Sequence, residues 1–519
     1  MTYPSPSRPS VAIIGAGPAG LVTARWLKAR GFAPVLFEAS RDLGGQWNPN
    51  GLHSATWPGM VTNTSRVMTA FSDLDHPPGT PTYPGREDMH RYLDRYSDRF
   101  GLRRAIRFGT RVEQLSRGEA GGWEIRSSRG GETRTERFDR VVVASGRYLR
   151  GTIPQVPGLE TFSGKFGTGH SSQFSGVARY RDASVLVAGC SISALEIATT
   201  LAQAGAQVTI SYRRQRYVLP KLIAGVPAEH VLFTRAAALE GARGPAAAAA
   251  GLKAQILQAA GTPEQYGALE ADPDVFAAGI TQCQGFLPAV AEGRIAVRPW
   301  IASVSGRSVR FADGREGDFD SLLFGTGFAL SLPWLSPEIA RTVELSAQGL
   351  TLFADSFHPD LDGLAFVGLY DLVGPYFPVL ELQARYIAGC WDTPDLMPSF
   401  AEMAEEMAAQ QAQGAAPPAR PMNMMALAFA QRAGVEPQIP RRPYLEQALL
   451  FGPLSPVSFR IDGPDPLPCA EEMTLAAAQA FGAIRGSGYT PEQARRRAAL
   501  WAPAEVFRGG PAGEGAPLH

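Results

Sequence analysis

The chain has 519 residues, 45% of them hydrophobic, which is enough for a sizeable core and for two or three domains of roughly 100–200 residues each. Its 49 Lys and Arg balance its 49 Asp and Glu, which removes any electrostatic reason to expect nucleic acid or an anionic membrane as partner. The four cysteines, Cys190, Cys283, Cys390 and Cys469, lie far apart with no CxxC pair, which excludes a disulfide framework, a redox-active dithiol and a zinc site, so no metal is expected.

Residues 1–10 read as a Pro/Ser-rich flexible tail. Val11-Ala12-Ile13-Ile14 is an apolar run too short for a helix, and it predicts a buried parallel strand. Gly15-Ala16-Gly17-Pro18-Ala19-Gly20 follows. Gly15 permits the tight turn, Gly17 lets the backbone approach a pyrophosphate, and Gly20 lets the next helix pack on the strand. That helix, expected from about Pro18 to Arg30, directs its N-terminal N–H groups and positive dipole end at the phosphates. Gly31 stops it, and Val35-Leu36-Phe37 forms the second strand. Glu38 then stands near the ~20-residue spacing expected of a carboxylate that binds a ribose hydroxyl. Strand, turn, helix and acid in register make a dinucleotide site of what would otherwise be a glycine-rich turn.

Further along, Gly44-Gly45-Gln46-Trp47 offers two glycines for close approach to a flat ligand and a tryptophan to wall it. Pro58-Gly59-Met60-Val61-Thr62-Asn63 comes next; taken alone, Asn63 reads equally well as a turn cap. Arg103, Arg104, Arg107 and Arg111 read as an exposed face around a strand. Val141-Val142-Val143-Ala144-Ser145-Gly146 closes a first unit over residues 11–150.

A second, altered copy lies in residues 151–324. Ser184–Ala188 is its strand, Gly189-Cys190-Ser191-Ile192-Ser193-Ala194-Leu195-Glu196 opens a helix ending near Gly205, and Val208–Tyr212 is the following strand. Ser191 occupies the place of the second glycine; it is small, and its hydroxyl can donate to a phosphate. Arg213 and Arg214, where an acid would bind NADH, suit the extra 2′-phosphate of NADPH, or else form a solvated strand end. The alanine-rich stretch 236–290 predicts inserted helices. Leu322–Phe324 and Gly325-Thr326-Gly327-Phe328 make another strand-then-glycine turn, after which 325–396 complete the first unit. Residues 397–508 form a C-terminal extension, in which Leu450–Leu454 reads either as a cap on the first unit or as a homodimer contact. Residues 509–519 read as a flexible tail. Two dinucleotide sites on one chain imply hydride transfer between two bound dinucleotides, a nicotinamide and a flavin.

The ordered set from the first glycine turn through Gly44–Trp47, Pro58–Asn63, Met68, Phe71-Ser72-Asp73, Tyr83-Pro84-Gly85, Tyr92-Leu93 and Val141–Gly146 to Phe162, Gly164, His170 and Phe174 resembles the flavin-containing monooxygenases, which are class B flavoprotein monooxygenases. The likeness spans roughly residues 11–391. It implies that Gly15, Gly17, Pro18, Ala19, Gly20 and Glu38 hold the adenosine diphosphate half of FAD, with Val112 at the adenine. Gly45, Gln46 and Trp47 match the segment along the flavin. Thr62 and Asn63 match the family's TN motif at the flavin face, which makes Asn63 the catalytic residue. Gly189, Ser191, Ser193 and Ala194, with Arg213 and Arg214, match the NADPH fingerprint. Thr326 and Gly327 fall in the family's ATG[YF] segment, with Gly325 in place of alanine.

Two departures stand out. Five residues separate Gly164 from His170 where the family has three, consistent with a two-residue loop extension. His170 then reads either as a cofactor contact or as a linker histidine with a local hydrogen bond. Phe174 stands where type I Baeyer–Villiger monooxygenases place tryptophan, which favours the flavin-containing monooxygenase branch. The resemblance implies an α/β fold with two Rossmann-like dinucleotide-binding domains, for FAD and NADPH, the second inserted in the first, with a helical insert and a C-terminal extension.

The implied reaction is NADPH- and O2-dependent oxygenation of a small soft nucleophile (an amine nitrogen, a sulfide sulfur or an indole-like ring) through a C4a-hydroperoxyflavin. The alternatives are Baeyer–Villiger oxygenation of a ketone, an uncoupled NADPH oxidase, and a non-catalytic dinucleotide-binding sensor. No signal peptide and no apolar run of bilayer length are evident, and no C-terminal anchor like that of the vertebrate microsomal members. The expectation is a bacterial-type, soluble, cytoplasmic enzyme.

Overall fold

The computed structural model describes residues 8–412, 420–486 and 488–502. Residues 1–7 and 509–519, which include most of one expected tail and all of the other, lie outside the described residues. Two five-stranded parallel sheets organise the chain. The first runs in the order Leu364–Phe366, Arg140–Val143, Val11–Ile14, Pro34–Phe37, Ile106–Arg107. The second runs Ile295–Arg298, Gln207–Ser211, Ser184–Ala188, Ser321–Phe324, Gly167–His170. All strands of the second sheet fall, in sequence, between Val143 and Leu364, two neighbours of the first. The second sheet is thus an insertion in the first.

The continuous apolar runs exist because both faces of each sheet are covered. Val11–Ile14, Val141–Val143 and Leu364–Phe366 are buried along their whole length. Helix Pro18–Ala29 starts with Pro18 at its first position, where the missing N–H costs nothing, and ends one residue short of the expected Arg30. Gly31, at φ +80°, takes the left-handed conformation that follows a helix end.

The insert around 236–290 holds the helices Arg235–Arg243, Pro245–Ala260, Val275–Ala278 and Phe286–Ala291. It is not wholly helical: Ile280–Gln282 is a strand, parallel to Tyr217–Leu219. Two three-stranded antiparallel sheets, Arg111–Phe138 and Ile301–Asp318, flank the main ones. In the C-terminal extension, helix Met422–Arg432 packs on the buried helix Phe377–Asp392, and its Met422, Met425 and Phe429 share one core with Val11 and Trp26. Leu450, Phe451 and Leu454 are buried within the chain, and Leu454 joins that same core. Among the described residues, no helix is long and apolar enough to cross a membrane.

Candidate functional site

A cavity of about 920 Å³ opens where the strands of the first sheet end, at Ile14, Phe37 and Ala144. Carboxyl ends of parallel strands are where such sheets bind ligands, because the chain turns there into helix N-termini. Gly15, Gly17, Pro18 and Ala19 form one wall. Gly15 needs its hydrogen side chain: φ is +108°, and a Cβ would lie 2.5 Å from the Ala144 carbonyl oxygen. Its N–H donates to Phe37 O at 2.8 Å, which pins the turn to the second strand. Gly20 lies behind the wall, packed against Gly15, as a close helix-on-strand contact demands.

The first helix has no side-chain cap at Gly17, so the N–H groups of its first turn stay open towards the cavity. Gly17 and Gly45 approach so closely that a Cβ on Gly45 would come within 3.0 Å of Gly17 Cα. With Gln46 and Trp47 they complete a cradle that side chains would fill. Glu38 borders it, its Oε2 accepting from Ala16 N–H at 2.9 Å and its Oε1 from Ser40 N–H at 2.8 Å. Each oxygen keeps a lone pair for a ribose hydroxyl. Val112 and Arg111 lie alongside. A glycine cradle, open N–H groups and a fixed carboxylate fit the adenosine diphosphate half of a flavin dinucleotide.

Thr62 and Asn63 line the cavity from a turn whose other groups are tied down. Thr62 N–H donates to Pro84 O at 2.9 Å, and Thr62 Oγ1 to Thr64 O at 2.8 Å. The half-buried Asn63 amide makes no hydrogen bond among the described residues and is available to a ligand. Lys221, invisible to the motif reading, reaches Thr62 O at 3.4 Å and pairs with Glu196 at 3.0 Å.

Ser191 and Ser193 of the second unit and Gly327, just after it, reach the cavity, while Gly189, Ala194 and Thr326 are outside its lining. Ser191 caps helix Ile192–Gln203, accepting from Ala194 N–H at 3.2 Å, and donates to Gly325 O at 2.7 Å. Its proton is thus engaged by a carbonyl in this structure, a partner that the sequence does not show. Arg213 and Arg214 are exposed and outside the cavity lining; Arg213 lies over Trp300 at 4.7 Å and Arg214 donates to Ala277 O at 3.3 Å. Arg216, two residues on, is the arginine of this run that lines the cavity, and sequence reasoning missed it.

His170 settles into local bonds: Nε2 lies 2.9 Å from Gly327 O, Nδ1 lies 2.9 Å from Ser172 Oγ, and the ring packs edge-on against Phe328. Burial pulls its pKa below the ordinary histidine value. Of the two readings, the structure matches the linker histidine.

The remaining wall comes from two distant segments. Leu252, Ile256, Val275 and Phe276 belong to the insert, and residues 371–377 to the return of the first unit. Arg147 grips Asp371 through two bonds of 2.6–2.7 Å, and Tyr148 Oη meets Tyr376 Oη at 2.8 Å. Burial raises the pKa of both tyrosines, so they remain phenols. The cavity therefore combines a largely apolar interior with side-chain amides, Asn63 among them, that have no hydrogen-bond partner among the described residues.

A family model described as flavin-binding monooxygenase-like matches residues 8–481. The chain is 28% identical to the N-oxide-forming dimethylaniline monooxygenase 2 of Rattus norvegicus over 413 residues, 77% of this chain and 76% of the relative. It is 26% identical to flavin-containing monooxygenase 5 of Cavia porcellus, over 88% and 89% of the two chains. Among solved structures, the S-allyl-L-cysteine S-oxygenase of Allium sativum superposes with a TM-score of 0.63 at 22% identity, covering 92% of this chain and 99% of its own. Cyclohexanone monooxygenase bound to epsilon-caprolactone gives 0.62 at 19% identity, covering 82% and 98%. These likenesses are likenesses of fold.

Proposed function

The chain belongs to the flavin-binding monooxygenase-like family, oxidoreductases that use FAD and NADPH, and from that premise we propose that it oxygenates a soft nucleophile, an amine nitrogen or a sulfide sulfur. The observation that carries this reading is the Asn63 amide, without a hydrogen-bond partner among the described residues, in a largely apolar cavity that both units line. Relatives named for N-oxide formation and S-oxygenation support the substrate class.

We assign residues 11–150 with 325–396 to FAD, and 151–324 to NADPH. The turn Gly15–Gly20 and the open N-terminus of helix Pro18–Ala29 would hold the pyrophosphate, Glu38 the ribose, and Gly45–Trp47 the flavin edge. Arg216, with Arg213 and Arg214, would meet the 2′-phosphate of NADPH. When bound, the two cofactors supply a hydride and the activation of O2 on the reduced flavin. Asn63 would present a neutral donor at that face, held ready by its fixed turn. Leu232, Phe233 and Leu380 keep water from the reacting atoms and offer an apolar bed to the substrate.

The test is NADPH oxidation in the presence of amines, sulfides and ketones, with products and peroxide quantified. Coupled N- or S-oxide formation is expected, and Asn63→Ala is expected to lower it about a hundredfold while NADPH oxidation continues as peroxide. If NADPH fails to reduce the bound flavin, or if every amine and sulfide leaves all reducing equivalents as peroxide, the reading falls. Ester formation from ketones alone would move the protein to the Baeyer–Villiger class.

A further inference from the structure

Two residues past Asn63, the turn of the first unit is gripped by the second. Ser65 is fully buried. Its backbone N–H donates to Glu229 Oε1 at 2.5 Å, and its hydroxyl shares a hydrogen bond of 2.8 Å with His230 Nε2. Glu229 and His230 stand on the short helix Ala228–Leu232, in the segment that follows the second-sheet strand Gln207–Ser211. Lys221, from the same segment, holds Thr62 O on the other side. The polar groups on either side of Asn63 are thus bound by one stretch of the second unit, and the Asn63 amide between them is left free.

The grip is costly. Glu229 and His230 are 1% and 0% exposed, and neither Glu229 Oε2 nor His230 Nδ1 has a hydrogen-bond partner among the described residues. Apolar side chains of similar size would pack there without that penalty. Burial raises the Glu229 pKa and pushes His230 down to about 3, as expected for groups held away from water. Glu229 also reaches the cavity wall. A carboxyl oxygen bonded to the backbone N–H two residues from a cavity amide restrains that turn directionally, which apolar packing would not.

We propose that Glu229 is the positioning residue for Asn63: with His230 it ties the Asn63 turn to the NADPH-side unit and fixes the amide's place in the cavity. The proposal rests on the reading of Asn63 given above. It makes Glu229 a determinant of coupling, not of flavin binding.

The experiment compares peroxide released per NADPH, in the presence of a coupled substrate, for the holoenzyme and for Glu229→Leu, Glu229→Gln and Asn63→Ala. Flavin content, thermal unfolding and the visible circular dichroism of the bound flavin are read on each. Glu229→Leu is expected to raise the peroxide ratio about tenfold and to alter the flavin dichroism without turnover, at wild-type flavin content. Glu229→Gln, which can still accept from Ser65 N–H, is expected to restore the wild-type ratio. An unchanged ratio in folded Glu229→Leu, beside a raised one in Asn63→Ala, overturns the positioning role alone. If neither variant leaks, the reading of Asn63 falls and the proposal with it. Should Glu229→Leu not accumulate as folded protein, Ser65→Ala removes the hydroxyl's bond to His230 and its contact with Glu229. A rise of about threefold is then expected, and no rise overturns the proposal.

Discussion

Gly17 and Ser191 stand at equivalent points of the two glycine turns and treat their helices differently. Gly17 leaves its helix start uncapped, whereas Ser191 accepts the Ala194 N–H and donates to Gly325 O. Sequence reasoning could see that serine is small enough for the turn. It could not see that the hydroxyl's proton goes to a carbonyl 134 positions away. His230 was equally silent, because one histidine among apolar residues carries no motif. Its titration yields a prediction. An unfolded imidazole titrates near 6.5, and burial holds this one at about 3 in the folded chain. A depressed base contributes fully above pH 6.5, and that contribution drains away as the pH falls towards 3. Wild type is therefore expected to lose about 3 kcal/mol more than His230→Gln between pH 7 and pH 4. Denaturant unfolding at the two pH values checks this; parallel losses in the two proteins would refute it.

Among elements, the locally specified ones were legible. Helix Pro18–Ala29 came within one residue because its start and stop lie in Pro18 and Gly31. Strand Ile280–Gln282 was missed inside a helical reading, because its partner Tyr217–Leu219 is 63 residues upstream and local periodicity carries no trace of it. The contact between helices Pro18–Ala29 and Phe377–Asp392 was also unreadable, and it contains a buried charge cluster. Arg25, Arg385 and Arg460 lie over Trp26 at 3.9, 4.8 and 4.9 Å, balanced by Asp73 and the fully buried Glu381. Arg460 donates to Ser72 Oγ and to Asp465 O, both at 2.7 Å. Removing one member leaves the others buried and uncompensated, so Arg460→Met is expected to destabilise the protein by about 3–5 kcal/mol. Denaturant unfolding measures it, and a variant as stable as wild type would sink the argument.

At the scale of the molecule, the C-terminal extension is part of the core, not an appendage. Met422, Met425, Phe429 and Phe459 pack with Val11, Trp26 and the helix Phe377–Asp392. The sequence left Leu450–Leu454 open between cap and subunit contact, because an apolar run does not say what it faces; here it faces its own chain. A chain cut after residue 412 bares the apolar side of Phe377–Asp392 and is expected to be recovered in the insoluble fraction. A soluble, flavin-loaded fragment would contradict that. The alternation of the two sheets along the chain also has a consequence at the ribosome. Strand Arg140–Val143 gains its second neighbour only when Leu364–Phe366 emerges, roughly 220 residues later. At ~5–20 residues per second that is a wait of about 10–45 s. For that interval the nascent first sheet carries an open hydrogen-bonding edge and an unburied apolar face.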